Sequence, residues 1–180
     1  MTGIDFRKMR NDGIKLNRGW RNNNPMNIRY VAANKWKYKV KDENKTDKAF
    51  EEFTNCVWGW RAAFYLLLKY YYKNKLRTPR MIISRWAPAT ENNTDTYVKN
   101  VMEFMHKNGF PSLQENATLG YPYVYEDQWT LLMMAMTLQE SGKMPGDTED
   151  MSLMRSFIEY AQTEVLNLKK TIKMGGDYGC

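Results

Sequence analysis

The sequence predicts a mainly α-helical domain with at most a minor β-hairpin or extended loop. Three observations carry this. Apolar residues recur at helical spacing in several segments, capping residues stand ahead of those segments, and no βαβ alternation is present. Residues 1–17 are polar and weakly periodic and read as an N-terminal arm. The stretch "RGWRNNNPMNIRY" (Arg18 to Tyr30) follows as an amide-rich loop. Next, "NKWKYKVKDENKTDKAFEEF" alternates Trp36, Tyr38 and Val40 with lysines, which suits a short exposed hairpin or extended loop.

The strongest helix follows Asn55, a good N-cap, with Trp60, Phe64, Leu67, Leu68, Tyr71 and Tyr72 at helical spacing. "TPRMIISRWA" is a short helix, with Thr78 placed to cap it and Pro79 in its first turn. After Pro88 another helix carries Tyr97, Val101, Phe104 and Met105 on one face, capped by Asn93 or Thr94 and stopped by Gly109. "EDQWTLLMMAMTLQESG" has a broad apolar face and ends at Gly142. The chain is thus one domain over residues 18–145. Residues 146–180 form a C-terminal amphipathic helix, read as packed on the same domain, and a frayed tail.

Composition bounds the function. A length of 180 residues with 43% hydrophobic and 26% charged residues fits one globular domain. The formal net charge of +7 points to a polyanionic partner: nucleic acid, an anionic membrane surface or anionic cell wall. Charge alone does not choose among them. Cys56 and Cys180 are too far apart in sequence to suggest a disulfide framework, and the lone His106 argues against zinc, so neither metal nor cofactor is expected. The N-terminus lacks the apolar run of a signal peptide, and stretches such as Leu131 to Leu138 are too short to span a bilayer. The expectation is a soluble cytoplasmic product that something else carries to its target.

Three stretches hold candidate chemistry. Glu140 in "LQESG" ends a long apolar run, where partial dehydration would raise its pKa and keep a proton for general-acid work. The simpler reading of the same cues is a solvated residue in a last helical turn, where the helix dipole favours cations instead. "RWAPATENNTDTY" places Glu91 and Asn92 in a polar connection where a site can be built, although Thr94 is also simply a cap. In the opening loop, Asn amides can line a groove with paired donors and acceptors, or bond their own backbone in a tight turn. Arg18, Arg21 and Arg29 can hold that loop or meet carboxylates. Spacing leaves these two readings open. "WKYKVKDENK" mixes aromatics with lysines as single-strand binders do, but no recognised nucleic-acid motif accompanies it, and a solvated hairpin face suits it better.

Together, "RGWRNNNPMNIRY", "AFEEFTNCVWGWRAAFYLLLKYY" and "TPRMIISRWAPATENNTDTYVKNV" resemble a family of phage virion proteins in the lysozyme-like superfamily. Its pattern runs RGIRNNNPGNIR, then F-x-x-F with a following G-[IW]-R-A helix, then T-x-x-x-I-I-x-R-W-A-P-x-x-E-N-x-T-x-x-Y. The match covers Arg18 to Val101. In that family a later helix ends in Glu, and "LQESG" stands in that place. The segment is also similar to the "ESG" segment of lytic transglycosylases and wall glucosaminidases. There the Glu precedes the Asn-rich loop; here it follows, as in a circular permutation.

The resemblance implies a lysozyme-like fold and cleavage of peptidoglycan glycan strands, of lytic transglycosylase or muramidase type, by a virion-associated protein. Peptidoglycan and other virion proteins are then the expected partners, and nucleic acid is not. The protein would be made in the host cytoplasm and travel with the virion or reach the cell wall. By carry-over Glu140 is the acid, and Asn24, Asn27, Glu91, Asn92 and Tyr97 are groove residues; Glu91 is a second catalytic carboxyl if it reaches the cleft, and Trp86 and Tyr97 can stack on sugar faces, although Trp86 reads equally as core. Met26 stands where the family has Gly, and Gln139 where relatives often have His. Two other readings are a non-enzymatic virion component that keeps the fold and a single-strand nucleic-acid binder.

Overall fold

The computed structural model describes residues 3–9, 15–90, 93–146 and 151–174. Among them the apolar periodicity becomes six helices: α1 (Arg18–Arg21), α2 (Cys56–Tyr72), α3 (Pro79–Trp86), α4 (Thr94–Lys107), α5 (Glu126–Ser141) and α6 (Ser152–Met174). A 3₁₀ turn at Asp42–Asn44 interrupts the long connection before α2. The fold is mainly α. Helices α2, α3 and α4 start on side-chain caps. Asn55 accepts the Val57 N–H at 3.1 Å, Thr78 the Met81 N–H at 3.2 Å, and Asn93 the Thr96 N–H at 3.0 Å. Each satisfies a first-turn donor that would otherwise lack a partner.

Helix α5 is the axis of the molecule. Every residue from Gln128 to Thr137 is buried, so it is enclosed on all sides rather than amphipathic. Helices α1, α4 and α6 pack against it; α6 also packs along α2, and α3 against α4. Two bonds join polar side chains within this core: the Trp60 indole donates to Thr137 Oγ1 at 2.9 Å, and Thr130 Oγ1 to Gln162 Oε1 at 2.7 Å, while Gln162 Nε2 is buried without a partner. Trp20 and Trp60 meet edge to face at 5.9 Å beneath the amide-rich loop. No helix among the described residues is long and apolar enough to cross a membrane.

Of the two forms expected for the lysine-rich stretch, hairpin or extended loop, it takes the second, with two isolated antiparallel bridges, Arg29–Phe50 and Lys39–Phe53. Tyr38 adopts a left-handed φ of 56°, which breaks the alternation a strand requires. The N-terminal residues are not a detached arm. Phe6 is fully buried against Trp20, with ring centroids 5.4 Å apart, and the Cys56 N–H donates to the Ile4 carbonyl at 3.0 Å. Two apolar residues are too few to show periodicity, yet one buried Phe contributes about 1.5–3 kcal/mol. Cys180 lies outside the described residues; Cys56 is buried, and burial pushes its thiol up to about 12, so it is an inert part of the core.

Candidate functional site

The amide-rich loop is a clasp between the two halves of the chain. Asn23 and Asn27 take left-handed backbone, each with φ of 50°, as Asn tolerates. The first three amides are consumed internally. Asn22 donates to Asp47 Oδ2 at 2.8 Å. Asn23 donates to Asp5 Oδ1 at 2.7 Å and the Phe53 carbonyl at 3.0 Å, and accepts the Phe6 N–H at 2.8 Å. Asn24 donates to the carbonyls of Ile28 (2.9 Å) and Glu51 (3.0 Å) and accepts the Ile28 N–H at 2.9 Å. Its amide is fully buried. Asn24 therefore shapes the loop and does not line a groove.

Two glycines permit this closeness. A Cβ on Gly59 would stand 2.2 Å from the Asn23 carbonyl oxygen, and one on Gly19 would stand 1.8 Å from Ser141 Oγ. The Asn loop thus rests directly on α2 and on the end of α5. That helix end has carbonyls without intrahelical partners, and the loop supplies them. Asn17 Nδ2 and the Trp20 indole both donate to the Ser141 carbonyl, at 2.9 and 2.8 Å. Asn27 Nδ2 donates to the Glu140 carbonyl at 3.0 Å. In return Ser141 Oγ donates to the Pro25 carbonyl at 2.8 Å. Gly142, with φ of 71°, lets the chain leave α5 at once.

Glu140 sits where these elements meet. It is half-buried, not solvated. Its Oε2 accepts from Asn27 Nδ2 at 3.2 Å and its Oε1 from the Tyr97 hydroxyl at 3.1 Å. Burial raises its pKa above the ordinary carboxyl range. The bonds from Asn27 and Tyr97, the Arg29 charge and the Trp86 indole pull the other way without cancelling that rise. The result is a carboxyl held in one orientation that keeps its proton further toward neutral pH, which is what a general acid requires.

Among its neighbours, Asn27 is in place, and its Oδ1 is a buried acceptor without a partner. Such an atom can receive a donor from a ligand or an ordered water. Tyr97 reaches Glu140 only through its hydroxyl. Its ring is 3% exposed, so it cannot stack on a sugar. Trp86 is half-buried, edge-on to Tyr70 at 6.2 Å, and donates from Nε1 to the Met26 carbonyl at 3.2 Å. Its indole closes the same wall as Asn27. Met26 is fully buried in the core; the left-handed positions on either side belong to Asn23 and Asn27, so a Met is accommodated. Glu91 and Asn92 lie outside the described residues. Arg18 holds the loop through Asp47 (2.9 Å), and Arg18 and Arg29 both lie over Phe50. Four surface pockets of 440–520 Å³ lie elsewhere, and none is lined by Glu140.

Sequence reasoning overlooked Asn17, Trp20 and Ser141 as partners in this clasp. Gly59, a glycine inside a strong helix pattern, signals the close approach of Asn23 and Pro25 to α2, but nothing local to Asn17, Trp20 or Ser141 marks them as partners.

No protein-family profile matches the chain. It is 36% identical over 128 residues to Protein P5 of Pseudoalteromonas phage PM2, an alignment covering 71% of this chain and 73% of that protein. That identity over most of both sequences places the chain in the family of the phage PM2 Protein P5.

Proposed function

We propose that this phage-family protein cleaves peptidoglycan glycan strands, as a lytic transglycosylase or muramidase carried with the virion or released to the cell wall. The observation that supports the reading is Glu140: half-buried, raised in pKa by burial, and aimed by Asn27 and Tyr97. In this reading Glu140 protonates the glycosidic oxygen. With one carboxyl in reach, the sugar's own hydroxyl closes on the anomeric carbon. With Glu91 as a second, water attacks instead. A separation of about 5 Å then favours retention, and roughly 6.5–9.5 Å favours inversion. The resemblance of the Asn loop, the "RWAP" segment and "LQESG" to lysozyme-like proteins agrees with this chemistry, and the +7 charge suits an anionic wall.

The test is incubation with purified peptidoglycan and mass analysis of the released muropeptides. Wild type is expected to release them, as anhydro products if the mechanism is transglycosylation. Wild type releasing none, or Glu140→Gln releasing as much as wild type, would sink the enzymatic reading.

A non-enzymatic virion component is the second reading. It is favoured by the two intramolecular bonds on the Glu140 carboxyl, one to each oxygen, and by pockets that lie away from it. It predicts that Glu140→Gln leaves infectivity of assembled particles unchanged.

A further inference from the structure

The lysine- and aromatic-rich stretch, which the Glu140 chemistry does not use, builds a pocket of its own. Its residues Ala33–Lys37 and α2 line an open pocket of about 450 Å³, within the usual size of ligand sites. Four cations line it: Lys35, Lys37, Arg61 and Lys69. Glu164 lies close, pairing with Lys37 at 3.2 Å and acting on Arg61. The pocket therefore keeps a positive excess.

Its walls carry two rings. Trp36 and Tyr65 meet edge to face at 6.1 Å, and Tyr65 is 48% exposed. Tyr65 therefore keeps much of its surface open to solvent beside Trp36. Two donors in these walls, Trp36 Nε1 and Arg61 Nε, are buried and have no hydrogen-bond partner. A buried donor without an acceptor costs about 1–3 kcal/mol, so this wall lacks acceptors rather than donors. The pocket shares no lining residue with the group around Glu140.

We infer that this pocket binds single-stranded nucleic acid, with a base stacked on Tyr65 beside Trp36 and the adjoining phosphate held by Arg61, Lys35 and Lys69. Aromatic faces beside lysines and an arginine are the physical requirements for such binding. The aliphatic side chains of this lining are Ala33 and the partly buried Leu66, so charge and rings dominate the surface it offers.

The experiment is fluorescence anisotropy with a labelled short oligothymidylate, titrated at several salt concentrations. Wild type is expected to bind, with affinity falling as salt rises. Tyr65→Ala should weaken binding about 5- to 150-fold. Lys69→Ala should weaken it and lower the salt slope by about 0.7. Both residues are exposed enough for the variants to fold, which circular dichroism checks. Glu140→Gln should bind like wild type. The inference is overturned by absence of oligonucleotide binding. It is equally overturned by full affinity in Tyr65→Ala, which would mean charge alone attracts the strand. Displacement of the oligonucleotide by phosphatidylglycerol vesicles or by muropeptides at lower concentration than unlabelled strand would reassign the pocket to lipid or wall and overturn it too.

Discussion

Replacing Asn24 by Ala separates a loop-building amide from a ligand-facing one. The substitution removes three buried hydrogen bonds, to Ile28 N–H, the Ile28 carbonyl and the Glu51 carbonyl. The Ile28 carbonyl keeps a second partner, the Glu51 N–H at 2.9 Å. The Ile28 N–H and the Glu51 carbonyl lose the partner described for them. Two buried backbone groups left unpaired cost about 1–3 kcal/mol each, so roughly 2–6 kcal/mol in total. That is a large share of the about 5–15 kcal/mol that holds a domain folded. Urea unfolding followed by tryptophan fluorescence reads it, as a lowered midpoint with an unchanged slope. A shift below about 0.5 kcal/mol, the size of a neutral surface change, would refute this account of the loop.

Asn27→Ala acts on Glu140 instead. Its amide lowers the Glu140 pKa, so removing it should raise that pKa further and move the alkaline limb of the pH–rate profile upward. Glu140→Gln should cut glycan cleavage by about 10²–10⁴-fold, read from muropeptide release. The same variant should change the pH dependence of stability. A carboxyl with a raised folded pKa binds more protons folded than unfolded between its unfolded value, about 4.3, and its folded one. Wild-type stability should therefore fall as pH rises through that window. The difference between wild type and Glu140→Gln in thermal melts isolates this contribution from that of Glu51, which burial raises in the same direction. Gly59→Ala gains about 1 kcal/mol of helix propensity but drives a methyl to 2.2 Å from the Asn23 carbonyl oxygen. Overpacking costs about 1–3 kcal/mol and should win, giving a lower melting temperature.

The helices were legible because their signals are local. Asn55, Thr78 with Pro79, and the apolar run of α5 each announce an element within a few residues, and the structure places them so. The roles of individual side chains were not. Asn24 and Asn27 are three residues apart in a stretch where every amide has the same local signature, yet one is sealed inside and the other faces Glu140. Only the direction of the chain after Pro25 distinguishes them, and that depends on α2 and α5. Tyr97 likewise sits where a stacking ring is expected, but the packing of α4 on α5 buries the ring and leaves only its hydroxyl for Glu140.

The bonds that orient the end of α5 come from residues far back in the chain: Asn17 lies 124 positions before its partner, Trp20 121 and Asn27 113. Closing such long loops comes late in folding, after local helices have formed. Glu140 therefore acquires its aim only when the first and last parts of the domain have docked. A chain still emerging from the ribosome, or a fragment cut between residues 28 and 139 whose halves have separated, holds the same glutamate without the clasp. The orientation of the carboxyl is thus tied to completion of the fold, and a cell making the protein meets it only on finished molecules.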